Sequence, residues 1–399
     1  MNCLLRLAPL GFSLLAACHS DTKTGQSAAT ASKPTATTDA AVPALADSPG
    51  AYYRQYRGLL PSAPDSITLD LLVAPRYSYG TEVVGVFGSY SGPDGHPYQL
   101  ASRPTTADSV VLFDASPEAG AMYPNGTNWL LLRQGTALVG TYNGQPLRFR
   151  EVHAAGVLPL VVRYYTDSIV AFPGVAKSPV AHLSFQALLP QKGNELLSAN
   201  ILRDLRGDTL PNLTVPQLPQ LWARHRAEYQ KLYWEDAEAG RKNLRGASDD
   251  MPFGYGLRYE QQQSTYVLWN QAPLLSLSFY GYNYMGGAHG DYGTYAVTYD
   301  TRTGQRLRFA DIFRPGSEAQ LSKILDQAVR RTLHIPATQP LEENLFVKTI
   351  PVTHNVYLTG GGVVFIYTPY EIASYAQGEI PVFVPMAELQ PLLKLQLAS

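Results

Sequence analysis

Cysteine is almost missing from this chain: only Cys3 and Cys18 occur in 399 residues. Everything after position 18 therefore lacks a disulfide, a thiol nucleophile and a thiolate metal ligand. An excess of positive charge is also missing. There are 31 Lys and Arg against 32 Asp and Glu, a formal charge of −1. Nucleic-acid binding needs a basic face, so that class is set aside. The apolar run at the amino terminus, Leu7 to Ala17, is too short to span a bilayer. There is no G-x-S-x-G elbow, no H-E-x-x-H and no P-loop. Gly360-Gly361-Gly362 lacks the following Lys-Ser/Thr and precedes a strand-like run, so it reads as a turn.

Against these absences, the first eighteen residues are informative. Arg6 is followed by the apolar run and then by Leu14-Leu15-Ala16-Ala17-Cys18, which is a basic region, an apolar region and a small-residue cleavage site. A cysteine at the cut resembles a bacterial lipoprotein signal. That resemblance implies an exported chain lipidated at Cys18 and anchored in the bilayer through it; an ordinary secretory leader with an incidental cysteine is the alternative. Losing Arg6 with the leader takes the formal charge from −1 to −2, which leaves no polybasic patch and makes the lipid the anchor. His19 stands where an aspartate retention cue would be, which favours the outer membrane of the cell envelope.

Hydrophobic residues make up 45% of the chain, enough for a sizeable core. The expected organisation is a signal at 1–17, an Ala/Thr/Ser/Pro tether at 18–50, a small β barrel or sandwich at 51–153, a strand-helix partner region at 156–244 and an α+β domain at 245–399. The expected fold class is α+β: a small all-β module, then an antiparallel sheet with helices on one face. In the β module, Asn143-Gly144 is a hairpin signal, and Gly85 and Gly140 inside strands mark sharp bends or close backbone approach. Leu218, Leu221, Trp222, Tyr229, Leu232 and Tyr233 predict a helix over 217–243. Leu321, Ile324, Leu325, Ala328 and Val329 predict another over 317–334, capped by Ser317. Tyr266 to Phe279 reads as one strand.

The last third carries an ordered set of short motifs. They are Tyr284-Met285-Gly286-Gly287-Ala288-His289, Tyr299-Asp300-Thr301-Arg302-Thr303-Gly304 and Leu307-Arg308-Phe309-Ala310-Asp311-Ile312-Phe313. Phe365 to Ile372, Tyr375-Ala376-Gln377-Gly378 and Val382-Phe383-Val384-Pro385 follow. In this order they resemble the extracytoplasmic domain of the lysozyme-sensing anti-sigma-V factor, over roughly 245–392. That domain also occurs as the non-catalytic part of some peptidoglycan deacetylases. The resemblance implies an α+β fold and, by analogy, lysozyme binding. The anti-sigma factor's cytoplasmic segment and membrane helix have no counterpart in the sequence, nor has the deacetylases' metal-dependent domain, so neither activity is expected.

Five residues are candidate ligand contacts. Tyr280, Tyr282 and Tyr284 share one face of an extended segment, with Leu275, Leu277 and Phe279 on the other. Such a row binds a partner, stacks on sugar rings or packs under a helix such as 317–334. His289 and Asp291 sit in a glycine-rich connection and suit metal ligation, acid–base chemistry or a structural turn in which a backbone hydrogen bond holds His289. Asp311 and Glu371 are a weak candidate carboxylate pair, with turn or capping roles as the alternative. The expectation is a non-catalytic binding protein without cofactor or metal, with a lysozyme-type protein or peptidoglycan as partner. A cell-envelope hydrolase and a structural lipoprotein of an outer-membrane complex are the rivals.

Overall fold

A computed structural model describes residues 46–61, 63–103, 108–119, 128–192, 194–207, 214–243 and 256–394. Cys3, Cys18 and most of the expected tether lie outside them. One compact unit spans Ala44–Ser399.

Eight antiparallel strands come first: β1 (Tyr52–Leu59), β2 (Ser66–Ser78), β3 (Thr81–Ser91), β4 (Pro97–Ser102), β5 (Ser109–Asp114), β6 (Asn128–Gln134), β7 (Ala137–Tyr142) and β8 (Gln145–Glu151). They close into a barrel when β8 pairs back on β1, with Gly58 opposite Phe149. Of the two expected architectures, the barrel is the one that forms. Its interior holds Tyr56, Leu69, Leu71, Trp129, Leu138 and Phe149, all nearly inaccessible. Asn143 and Gly144 both have positive φ, as a two-residue hairpin turn demands. A Cβ on Gly140 would lie 1.8 Å from the Leu130 carbonyl oxygen, so only glycine lets β6 and β7 approach there.

A six-stranded sheet follows, in the order β14-β13-β12-β11-β10-β9. Its strands are β9 (Leu160–Val170), β10 (Val180–Pro190), β11 (Tyr259–Gln271), β12 (Leu274–Met285), β13 (Asp291–Asp300) and β14 (Arg306–Leu307). The expected single strand over 266–279 is instead a hairpin: the chain reverses at Gln271–Pro273, dividing that stretch between β11 and β12. The sheet is also not wholly antiparallel. β10 and β11 run parallel, because helices α1 (Glu195–Arg206) and α2 (Leu218–Asn243) intervene and return the chain in the same direction.

Both helices cover one sheet face. Leu197 and Ile201 of α1 and Leu218 and Leu221 of α2 pack with Phe185, Leu275, Leu277 and Tyr299. Tyr229 and Tyr233 of α2 extend that layer over Ile169 and Leu183. Leu232, counted in the expected apolar stripe, is instead 42% exposed, because it falls outside the arc that meets the sheet. Asp204 of α1 accepts from Tyr299 and from Arg306 in a nearly inaccessible ion pair that ties the helix to β13 and β14.

The chain ends in short helix α3 (Phe309–Ile312), helix α4 (Glu318–Thr332), a three-stranded sheet of β15 (Val356–Leu358), β16 (Gly362–Tyr367) and β17 (Ile380–Pro385), and short helix α5 (Met386–Leu389). Leu321, Leu325, Ala328 and Val329 of α4 pack on Val363, Phe365, Val382 and Val384. Ser317 does not cap α4: its backbone is already helical and its hydroxyl makes no hydrogen bond. The small sheet's other face carries Tyr357, Val364 and Ile366 against Ala296. There Ser276 donates to the Leu358 carbonyl at 2.6 Å, and Thr298 accepts from the Leu358 N–H at 2.9 Å.

The barrel docks through Asn270, which is 2% exposed. Its amide donates to Leu158 O and to the Tyr53 hydroxyl and accepts from Leu158 N–H. Tyr53 in turn donates to Asp70 at 2.5 Å, and Gln55 donates to the same carboxylate oxygen at 3.1 Å. Burial pushes the Asp70 carboxyl up to about 6, against the two hydrogen bonds that favour its charged form. The folded chain thus keeps a proton that the unfolded chain releases, and this group's contribution to stability falls as pH rises from about 4 to 6. Asp70→Asn keeps both acceptor contacts without charge. It should flatten that part of the stability profile and gain up to about 3 kcal/mol over the native chain at pH 7, read by urea denaturation across pH. A variant whose profile ran parallel to the native one would contradict this account.

Candidate active face of the central sheet

The sheet face away from α1 and α2 is polar and tyrosine-rich. Strand alternation puts Tyr280, Tyr282 and Tyr284 there, with Leu275 and Leu277 in the core behind them. Cross-strand pairing surrounds them: Glu260, Gln262 and Ser264 of β11 oppose Tyr284, Tyr282 and Tyr280, and Tyr292 of β13 opposes Tyr282. Gln262, Ser264 and Ser278 on this face are almost fully buried, so it is covered in part.

Two elements cover it from opposite sides. One is the β2–β3 hairpin of the barrel. Tyr77 lies tilted against His182 with centroids 4.4 Å apart, and the Gly80 N–H donates to Glu260 at 3.2 Å. Phe87 stacks on Tyr266 at 4.0 Å. The other is the segment leading into β17. Glu379 accepts from the Thr294 N–H at 2.5 Å and from its hydroxyl at 2.8 Å. Tyr375 donates to the Gly290 carbonyl at 2.5 Å and stacks on His289 at 4.1 Å. The expected cover, helix 317–334, lies elsewhere, on the three-stranded sheet.

Rings run in series between these covers. Phe87, Tyr266, Tyr280, Tyr292 and Tyr375 succeed one another at 4.0, 5.8, 6.2 and 5.5 Å between centroids. At the inner end, burial raises the Tyr266 and Tyr280 hydroxyls far above their usual range. The outer end is open. Tyr282 and Tyr284 are half-buried, and Tyr370 is 57% exposed. Tyr79, at the hairpin tip, is fully exposed. Burial, with the Glu260 charge second, pushes the Tyr282 hydroxyl up to about 12. It is therefore a neutral donor and acceptor at ordinary pH. Carboxylates stand near this end: Glu260 lies under the hairpin tip opposite Tyr284, and exposed Asp291 lies within electrostatic reach of Tyr375.

His289 and Asp291 lie at the mouth of this cleft, on a connection where Gly286 and Gly287 both have positive φ. His289 Nδ1 lies 3.0 Å from Gly290 O, the backbone hydrogen bond of the structural alternative. Asp311 and Glu371 do not form a pair. Asp311 accepts from Arg308 N–H at the start of α3, and Glu371 from Thr368 N–H in its own turn. No group of three metal-ligating side chains comes together among the described residues. Sequence reasoning missed Tyr79, Tyr266, Tyr292, Tyr370, Tyr375 and Glu379 as parts of this face. The strand-like run around Tyr266 was a usable signal for that ring; the others arrive only through tertiary contact.

These features define a class: a barrel packed on a mixed sheet, with a tyrosine-lined cleft under a C-terminal α+β element. Residues 310–387 carry a DUF3298 domain, described as a protein of unknown function. A crystal structure of a DUF3298 family member from Bacteroides fragilis is similar at TM-score 0.52 and 21% identity. It covers 60% of this chain and 95% of that one. A DUF3298 family protein from Pseudomonas aeruginosa aligns at TM-score 0.40 and 20% identity, over 59% of this chain and 95% of that one. A comparison with curated proteins finds no match.

The Tyr375 hydroxyl is the link holding the His289 connection against the C-terminal segment. Tyr375→Phe should cost about 1 kcal/mol in urea denaturation. It should also speed amide exchange in the 286–292 connection while β16 keeps its protection. Unchanged exchange at the connection would show that the link does not hold it.

Proposed function

We propose that this chain is exported, lipidated at Cys18 and held at the cell envelope, on the outer membrane, where its tyrosine face binds a macromolecule without catalysing a reaction. The observation that carries the reading is the open end of the cleft. There Tyr284 opposes Glu260 across the strands, Tyr282 lies within electrostatic reach of Glu260 and Tyr79, and Tyr375 lies within reach of Asp291 and Tyr370. Tyrosine offers large, rigid, amphipathic contact area at low entropic cost, which suits protein recognition. Carboxylates at the edge steer a basic partner and set its orientation. A lysozyme-type muramidase is such a partner, and it agrees with the motif resemblance in the last third of the chain. Peptidoglycan is the second reading, because a row of rings also suits stacking on sugars. The position of His289 is accounted for by its stack on Tyr375 and its backbone hydrogen bond, so no hydrolytic role is assigned to it.

Calorimetry with lysozyme and, separately, with soluble peptidoglycan fragments tests this. Lysozyme should bind, and Tyr282→Ala should weaken it roughly thirtyfold if that ring is an energetic centre of the interface. No heat from lysozyme with the protein on the order of tens of micromolar removes the muramidase reading. Heat from the fragments alone would move the assignment to peptidoglycan.

A further inference from the structure

The barrel has a second outer face, formed by β5 to β8 with the end of β1. The faces of β1, β2 and β3 that carry Tyr53, Asp70 and Phe87 are spent on the central sheet. On the far side, Leu130 and Leu132 of β6 are 50% and 51% exposed, and Leu59 of β1 is 57% exposed. Cross-strand pairing joins them into one patch: Val111 opposes Leu130, Leu132 opposes Val139, and Val139 opposes Arg148. Arg150 opposes Arg57 across the closing seam. Arg57, Arg148 and Arg150 all point outward and are exposed. The same outward rows of β6, β7 and β8 hold no Asp or Glu among the described residues.

Exposed leucines gathered on one outer face of a barrel would ordinarily mark an interface. A second copy of this face is a poor occupant, because it would set arginines against arginines. The occupant must be anionic and must accept leucine side chains. We infer that this face rests on an anionic lipid surface, with Leu130, Leu132 and Leu59 at the headgroup boundary and Arg57, Arg148 and Arg150 on lipid phosphates. The inference rests on the export reading above, since it requires a membrane nearby. At most about 100 Å of fully extended chain separates Cys18 from Ala46, so a bilayer holding Cys18 is within reach of the barrel. Docked this way, the barrel places its sheet-facing side, and the tyrosine cleft beyond it, away from the lipid.

Residues 44–399 form one compact unit and lack Cys18, so the surface can be tested apart from the anchor. The probe is vesicle co-sedimentation, with phosphatidylcholine alone and with phosphatidylcholine containing phosphatidylglycerol. The unit should sediment with the anionic vesicles only, and added salt should release it. Replacing Arg57, Arg148 and Arg150 together by Gln should weaken partitioning roughly a hundredfold. Leu130→Ser with Leu132→Ser should weaken it independently, and circular dichroism should report an intact barrel in both variants. Absence from anionic vesicles, or equal sedimentation of the arginine variant, overturns the inference; absence would leave an acidic protein as the occupant. The outcome is independent of whether Cys18 carries lipid, which mass spectrometry of the envelope fraction decides.

Discussion

Asn270 occupies the point where the barrel, the first strand of the central sheet and the β11–β12 hairpin meet. An amide with almost no exposure must find partners for its donors and acceptor, and it finds them in the Leu158 backbone and in Tyr53. Tyr53 is itself committed to Asp70. The chain of buried polar groups is satisfied only when the barrel sits in one orientation on the sheet. That orientation carries the β2–β3 hairpin over the polar face and so makes one wall of the cleft. Apolar packing of Leu72, Ala74 and Phe87 supplies area to the contact, but area alone sets no angle.

The central sheet has two faces with different obligations. One buries leucines under two helices, as an amphipathic sheet should. The other carries serines, glutamines and tyrosines, which cannot be left half-buried without partners. The small sheet satisfies part of this face through Ser276, Thr298 and Asn355. The hairpin and the Tyr375–Glu379 segment take the rest and leave tyrosine rings at the open end. The two covering elements come from distant parts of the chain, and Tyr79 of one and Tyr375 of the other both lie within electrostatic reach of Tyr282. The chemistry of the cleft follows from the residues left uncovered: neutral hydroxyls, ring faces and a few carboxylates, which suit recognition.

Much of this was legible. Alternation placed Tyr280, Tyr282 and Tyr284 opposite Leu275 and Leu277, and glycines at 286 and 287 announced a connection with positive φ. The helix at 318–332 was readable from its apolar stripe. The hairpin break at Gln271–Pro273 was marked as well, by Asn270-Gln271 and by a proline that a central strand excludes, although the apolar residues on either side read together as one strand. Helix α1 also escaped notice. Its signal was present nonetheless: Leu197, Ile201, Leu202 and Leu205 recur at helical spacing and pack on the core.

The amino-acid order by itself determined which residues alternate, which face of each strand is apolar and where glycine must stand, because these depend on neighbours one to four positions apart. It also set the charge balance and the near-absence of cysteine. Only the tertiary structure decided that Phe87, Tyr266, Tyr292 and Tyr375 stand in one series, since each reaches it from a different strand or turn. The parallel pairing of β10 with β11 and the closing of β8 on β1 were decided there as well. Contacts between residues far apart in the chain depend on how separate elements bury each other's surfaces, and no local pattern records that.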